Sequence, residues 1–403
     1  MITINTAESA LRNIYLESVI HDINEKTNPF LTMIRKNTKT IAERDAKAAV
    51  RFGSEGSVAA GEEDSILPTA HDARQAEIVT PLKNLYGTFQ ITDKAIRAAQ
   101  NSPGAFTALV GGEMKNLVAT AQTNLNRMVY GSGNPFLAYT LTHNAPTRTF
   151  QVPARFRDNL RVGQQIVVMN SNNQVLNTNV IKITNVVAFI PDSSRLNVVY
   201  TGDVPATKFD RLYLFPAEQS NLEMNGVDSL FMQDRLYNLK REDYKEILPF
   251  TSFDSGEDLN IINEDVLIEF FDGLEEHAQG QVSDIILTHP NVRKALFENL
   301  RDTRNNIDVT EFAGGFRGFT FNGIPMYADI RCMAGTAYAL HSESFAMQQL
   351  CDWTWLEGDD GSILRPISGK SVYSATLVKY ADLVCEKPFL QGKLTGYSAL
   401  QWK

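Results

Sequence analysis

Cysteine is scarce in this 403-residue chain: Cys332, Cys351 and Cys385 are odd in number, far apart and each set among apolar neighbours. That excludes a disulfide framework and a cysteine zinc site, and predicts three buried free thiols. Histidine is sparse as well. His21, His71, His143, His277, His289 and His341 include no two at ligand spacing on one helix, which removes the usual metallohydrolase motifs. There is no G-x-S-x-G elbow, no Walker loop and no dinucleotide fingerprint. No uninterrupted apolar run approaches a membrane span, and Met1 to Ser9 has neither a basic start nor an apolar h-region, so the expectation is a chain made in a cytosol-like space. Basic charge is also in deficit. With 38 Lys and Arg against 47 Asp and Glu, a formal net charge of −9, the balance argues against a protein that grips nucleic acid through its phosphates.

Few local candidates for chemistry remain. His289 beside Pro290 stands between a strand and a helix, where a capping role outweighs that of a catalytic base. Glu357, Asp359 and Asp360 with Gly358 and Gly361 lack EF-hand spacing and read as a polar hairpin turn rather than a calcium loop. Gly314-Gly315-Phe316-Arg317-Gly318 is glycine-rich without a strand-turn-helix context. The basic clusters Arg35, Lys36, Lys39, Arg44 and Arg155, Arg157, Arg161 read as solvated faces. The expectation is therefore no catalytic, cofactor-binding or metal-binding residue and no enzyme, although a site scattered over loops would leave no such trace.

What is present is order. From Ala46 to Phe52 short and β-branched residues alternate with charges; Gly53, Gly56 and Gly61 then surround the acidic run Glu62-Glu63-Asp64, and the chain returns through Ile78 and Val79. This predicts an extended hairpin with a solvated tip. It continues into Leu85 to Ile91, where Leu85, Phe89 and Ile91 share one face. A hairpin so poor in large apolar side chains is expected to lie on something else, such as another subunit. Thr92 caps a first helical piece, Asp93 to Gln100, and Ser102 with Pro103 opens a second that runs to about Tyr130. Phe106, Leu109, Val110, Met114, Leu117, Val118, Ala121, Leu125, Met128 and Val129 draw one apolar stripe along a helix about 40 Å long. Gly111-Gly112 inside it is either a tolerated weak spot or a bend or close approach.

Flanking these elements, the N-terminal segment reads as an arm with helical pieces at Glu8 to Ile20 and Phe30 to Arg35. After Gly131-Ser132-Gly133-Asn134-Pro135 the style changes. Strands are expected at Thr149 to Val152, Gln165 to Met169, Val175 to Val187, Leu196 to Tyr200 and Arg211 to Phe215, an inserted β-barrel or sandwich. Beyond Glu218 helix and strand mix again: a helix at Glu264 to Ala278, an apolar strand Ile285 to Thr288, a helix from Asn291 to Leu300, and strands at Phe319 to Phe321, Ile324 to Tyr327, Ala337 to Leu340, Ser371 to Tyr380 and from Leu383 on. At 43% hydrophobic and 21% charged, the chain can fill two or three cores.

The pieces Leu287-Thr288-His289-Pro290-Asn291, Gly323-Ile324-Pro325-Met326, Gly335-Thr336-Ala337-Tyr338 before Ser344-Phe345-Ala346, and Val384-Cys385-Glu386-Lys387-Pro388 occur in an order that resembles the major capsid proteins of tailed phages, the Hong Kong 97-type fold. The resemblance covers most of the chain outside about Leu137 to Phe215. It implies an α+β fold divided into an N-terminal arm (1–41), an extended hairpin loop (42–91), a peripheral domain with a spine helix (92–135 and 343–385), an inserted β-barrel domain (136–217) and an axial domain (218–342 and 386–403). It implies a protein that self-assembles as hexamers and pentamers into an icosahedral shell around double-stranded DNA, without sequence-specific DNA contacts, cofactor or membrane. The location implied is the virion capsid, assembled in the host bacterial cytoplasm. The expected partners are a separate scaffolding protein, since the arm begins almost at Met1, and a portal; a decoration protein is left open, and the barrel is expected on the outer face. Some relatives cross-link a hairpin lysine to an asparagine of the returning segment. Lys47 and Lys83 stand in the hairpin, but no Asn follows Asn322, so no cross-link is expected. A nanocompartment shell of the same fold and a soluble α+β enzyme stay open as alternatives.

Overall fold

The computed structural model describes residues 21–23, 28–38, 41–42, 44–52, 74–99, 103–133, 137–169, 175–177, 179–190, 195–205, 212–217, 222–232, 235–253, 264–300, 309–311, 317–332, 335–358 and 361–395. They form two compact units: one comprises the described residues up to Tyr130 and from Val227 on, the other Gly131–Gly226.

In the first unit the helix Pro103–Val129 is unbroken, and Thr92 Oγ1 accepts from Ala95 N at 3.3 Å to cap the helix Asp93–Ala99 before it. Met114, Leu117, Leu125 and Val129 are buried along one stripe of the long helix. Phe106, Leu109 and Val110 fall outside the described side chains. A Cβ on Gly112 would meet nothing within 4 Å, so no described neighbour approaches closely at that glycine; the surroundings of Gly111 lie outside the described residues. The close approach occurs instead at Gly87, where a Cβ would stand 2.9 Å from Leu117 Cδ1.

Gly87 belongs to the strand Lys83–Thr92, whose Leu85, Phe89 and Ile91 are buried by period-two alternation. This strand is not part of the hairpin. It runs antiparallel to Val372–Cys385, from Thr92 opposite Val372 to Lys83 opposite Ala381, because the chain turns at Pro81-Leu82 into a second sheet. Phe345–Trp355 pairs on the other edge of Val372–Cys385, and Arg35–Asn37 adds in parallel beyond it. Two strands were expected across Ser371 to Leu383 and beyond; one continuous strand forms, because its far half is buried on both faces.

The hairpin proper pairs Asp45–Phe52 with Arg74–Pro81. Its stem has more core than its composition suggests. Ala46, Ala48, Val50, Phe52, Ala76 and Ile78 are buried, Phe52 packs edge-to-face on Tyr244 at 6.0 Å, Asn238 accepts from Val79 N at 2.9 Å, and Thr80 Oγ1 donates to Asp382 Oδ2 at 2.7 Å. The small side chains let the stem lie close on its own chain. The expectation that the hairpin is ordered by something beyond this chain now concerns only residues 53–73, the acidic run included, which lie outside the described residues; so do Met1 to Ile20.

A second sheet runs in the order Phe250–Phe253, Gly392–Thr395, Ala337–Leu340, Ile285–Thr288, Ile324–Ala328, Arg317–Phe321, Val309–Glu311. Ile285–Thr288 lies inside it, buried throughout, as its uninterrupted apolar run requires. Asn322 and Gly323 both have positive φ, +50° and +80°, the hairpin turn that joins Arg317–Phe321 to Ile324–Ala328. The helices Glu264–His277 and Pro290–Leu300 cover this sheet through Leu267, Phe270, Leu274, Val292 and Leu296. Gly392 permits the closest contact: a Cβ there would stand 2.7 Å from Leu274 Cδ2 and 2.8 Å from Phe270 Cζ.

The second unit is an antiparallel sheet in the order Ala138–Tyr139, Tyr213–Pro216, Gln165–Met169, Ile181–Ala188, Arg195–Thr201, Thr149–Pro153, Thr142–Asn144. Its first and last strands are consecutive in sequence. Between them Thr140 N donates to Leu212 O at 2.8 Å and Leu141 N to Gln151 O at 2.7 Å, so one segment bonds both edges and closes the sheet into a small barrel. Phe150, Val152, Ile166, Val168, Ile181, Ile183, Val198 and Leu214 fill it. The unit extends beyond 136–217 because Ser132 and Asn225 pair across its base. Strand Ile181–Ala188 starts later than expected, leaving Val175 only an isolated bridge to Met169.

Candidate functional site

None of the three cysteines forms a disulfide; Cys332 and Cys385 are buried as expected, whereas Cys351 is only half-buried, at a break in the register of strand Phe345–Trp355. His289 Nδ1 lies 2.6 Å from Asn291 Oδ1 and 3.2 Å from Asn291 N, which makes it part of a helix start. Near Glu357, Gly358 N donates to Ser362 O at 2.8 Å and Gly361 N to Gly358 O at 2.9 Å, a tight turn; Asp359 and Asp360 lie outside the described residues. Gly314 to Phe316 and Lys39 do too. Arg35 binds Glu343 O at 2.6 Å, Lys36 lies 3.6 Å from Asp352 Oδ2, and Arg44, Arg157 and Arg161 are exposed. Among the described residues no group of three His, Cys, Asp or Glu could hold a metal ion, and no helix is long and apolar enough to cross a membrane.

The structure instead brings together buried polar groups that sequence pattern did not single out. In one tie, Asn28 Nδ2 donates to Asn126 Oδ1 at 2.9 Å and to Tyr130 OH at 3.0 Å, while Asn126 Nδ2 donates to Asp329 Oδ2 at 2.7 Å. It joins the start of helix Pro29–Met33, the end of the long helix and the loop after Ile324–Ala328. Burial, and then the Asp329 carboxylate, push the Tyr130 hydroxyl well above its usual pKa, so it stays a neutral hydrogen-bonding group. In a second tie, Asp228 Oδ1 accepts from Tyr338 OH at 2.8 Å and from Lys393 Nζ at 2.5 Å, and the ammonium lies 5.6 Å from the Tyr338 ring centroid. Burial raises Tyr338 here as well, with Asp228 adding to it.

The third tie is Lys379 with Asp352, Nζ to Oδ1 at 2.7 Å, the lysine side chain 2% exposed inside strand Val372–Cys385. Burial by itself would raise the Asp352 carboxyl, but the Lys379 ammonium overrides it and holds the group at about 2. Lys379 is lowered from its usual value, because burial outweighs the attraction of Asp352. A lysine inside an apolar strand, Lys379 between Val378 and Tyr380, is the sequence signal that could have found the third tie; the first, built on a helix cap, a helix and a loop, offers none.

None of these groups combines a nucleophile with an exposed base, and their effect is to lock remote segments into one frame. The faces left exposed by that frame are the surfaces available for contact. On strand Lys83–Thr92 the face opposite the long helix presents Asn84, Tyr86, Thr88 and Gln90, with Tyr86 61% exposed. Thr88 and Thr376 hydroxyls meet across the strands there at 3.1 Å.

No protein-family model and no curated protein sequence matches the chain. Among solved structures, the capsid asymmetric unit of cyanophage A-1(L) matches with a TM-score of 0.53 at 11% identity, covering 93% of each chain. The procapsid of satellite phage P4 with its size determination (Sid) protein matches with a TM-score of 0.44 at 10% identity, over 95% of this chain and 98% of that one. The holo-SrpI encapsulin complex from Synechococcus elongatus PCC 7942 matches with a TM-score of 0.42 at 10% identity, over 94% and 90%. The cyanophage likeness carries the fold assignment, and the two weaker ones add nothing to it. The chain has the α+β, Hong Kong 97-type capsid fold.

Proposed function

With that fold as the premise, we propose that the chain is a major capsid protein that self-assembles into the shell of a tailed phage and encloses its double-stranded DNA. The observation that carries this reading is the extent of the cyanophage match, 93% of both chains, which leaves no large part of either fold unaccounted for. The lack of catalytic vocabulary supports it, as does the net charge of −9, which suits a container better than a protein that grips DNA.

On this reading the sheet containing Val372–Cys385, together with the long helix, is the peripheral domain. The sheet around Ile285–Thr288 is the axial domain that clusters at five- and sixfold axes. The Asp45–Phe52/Arg74–Pro81 stem is the base of the extended loop, and residues 53–73 reach toward a neighbouring subunit. The barrel is an inserted domain. Assembly takes place in the host cytoplasm with a separate scaffolding protein and a portal.

Negative-stain microscopy of the protein expressed alone and with a scaffolding protein tests the proposal. The expected result is closed or sheet-like shells of hexamers and pentamers. A stable monomer at high concentration over a range of salt, with and without scaffold, would overturn it.

A further inference from the structure

The barrel carries a cleft of about 530 Å³ beside the tight turn Ala145 to Arg148, a volume in the range of small-molecule sites. Its walls come from neighbouring strands: Thr142 stands opposite Gln151, Asn144 opposite Thr149, and Gln151 in turn opposite Asn197. These side chains alternate with the buried Phe150 and Val198, so they share the outer face of the barrel within reach of one another. The loop above them is held in shape. Asn144 Oδ1 accepts from Thr147 N at 3.2 Å, and Arg148 N donates to Ala145 O at 3.1 Å.

The chemistry of the lining is one-sided. It has Thr, Asn, Gln and His side chains, an Ala and a Pro, and not one charged group. Nearby Arg148 is taken by Asp203 at 2.9 Å. Gln151 Oε1 accepts from Thr142 Oγ1 at 3.0 Å, which leaves its amide nitrogen to donate, and Asn144 keeps its own amide nitrogen. Asn197 Oδ1 is buried with no hydrogen-bond partner. His143 holds its ring at one side of the cleft, fixed through Nε2 to Tyr200 OH at 2.8 Å. An anion would find no cation here, and an apolar ligand would strand the amides. Amide nitrogens that donate, beside Gln151 and Asn144 oxygens that each keep a second lone pair to accept, match adjacent hydroxyls on a rigid ring.

We propose that this cleft binds a neutral saccharide, with Asn197, Gln151 and Asn144 hydrogen-bonding its hydroxyls. The inference rests on the barrel alone and holds whether or not the chain forms shells.

The test uses the full chain. Titration calorimetry with glucose, galactose, mannose, N-acetylglucosamine and maltose, with N-acetylneuraminic acid and an uncharged Gly-Ser peptide as contrasts, is run beside binding to an array of immobilised neutral glycans. Calorimetry reports a free sugar, and the array a saccharide chain end. At least one neutral saccharide should bind in one of the two arms. Asn197→Ala and Gln151→Ala should each weaken that binding about tenfold while the melting profile is unchanged, since both side chains lie outside the barrel core. Should Asn197→Ala lower the melting temperature, Gln151→Ala alone decides. Three results would overturn the assignment: no neutral saccharide binding in either arm, binding only of the acidic sugar or the peptide, or binding that the deciding variant leaves unchanged.

Discussion

Removing Asp352 while leaving Lys379 in place tests the buried frame most directly. In Asp352→Ala the Lys379 ammonium, 2% exposed, loses the carboxylate 2.7 Å away. Breaking a buried pair in this way typically costs about 3–5 kcal/mol. An upper bound follows from the lysine itself: it can shed its proton, and for a group whose ordinary pKa is 10.5 that costs about 5 kcal/mol at pH 7. The expected loss is therefore about 3 to 5 kcal/mol. Lys379→Met should cost less, because Asp352 is 28% exposed and keeps Lys36 at 3.6 Å. The double variant should recover much of the Asp352→Ala loss, giving a coupling energy of about 2 kcal/mol or more.

The pH dependence has a definite sign. Asp352 is held at about 2 against an ordinary 3.8, so its contribution is complete above pH 4 and is lost as the pH falls toward 2. Alone it is worth at most about 2 kcal/mol, and the cost of burying Lys379 offsets part of that. Urea unfolding followed by tryptophan fluorescence reads the pair, since Trp353 lies beside the lysine with its ring centroid 5.9 Å from Nζ. A loss below about 1 kcal/mol in Asp352→Ala, or additive single variants, would show that the pair is not the lock described here.

Three further outcomes are expected. Leu117→Asp puts a carboxylate on the buried stripe of the long helix, against the Gly87 strand, and should cost about 3 kcal/mol or more; unchanged thermal melting would mean that the stripe is not core. Deleting 53–72 should leave far-UV circular dichroism of the unassembled chain nearly intact, because the stem keeps its own contacts, yet abolish shells in the microscope; normal shells would remove the loop from the assembly contacts. Gly131–Gly226 expressed alone should melt cooperatively as a β protein, because the barrel closes on itself and has its own core; a fragment without a melting transition would refute that.

Much of the architecture is local and was legible in the chain. The 3.6-residue stripe marks the long helix, the apolar run Ile285 to Thr288 marks a strand covered on both faces, and Asn322-Gly323 marks a hairpin turn, because helix, strand and turn propensities act over a few residues. The order of these pieces carried the resemblance to the capsid fold. Pairing between remote segments is not local, and only the tertiary structure decided it. Leu85 to Ile91 alternates as any half-buried strand would, and nothing in that pattern says that its partner is Val372–Cys385 rather than the hairpin just before it. The alternating small residues of the hairpin stem looked coreless until Tyr244, Asn238 and Asp382 were brought against them. Nothing local names the partners of Lys379 and Lys393, because burial and pairing with Asp352 and Asp228 depend on residues 27 and 165 positions away that the fold alone places within hydrogen-bonding distance.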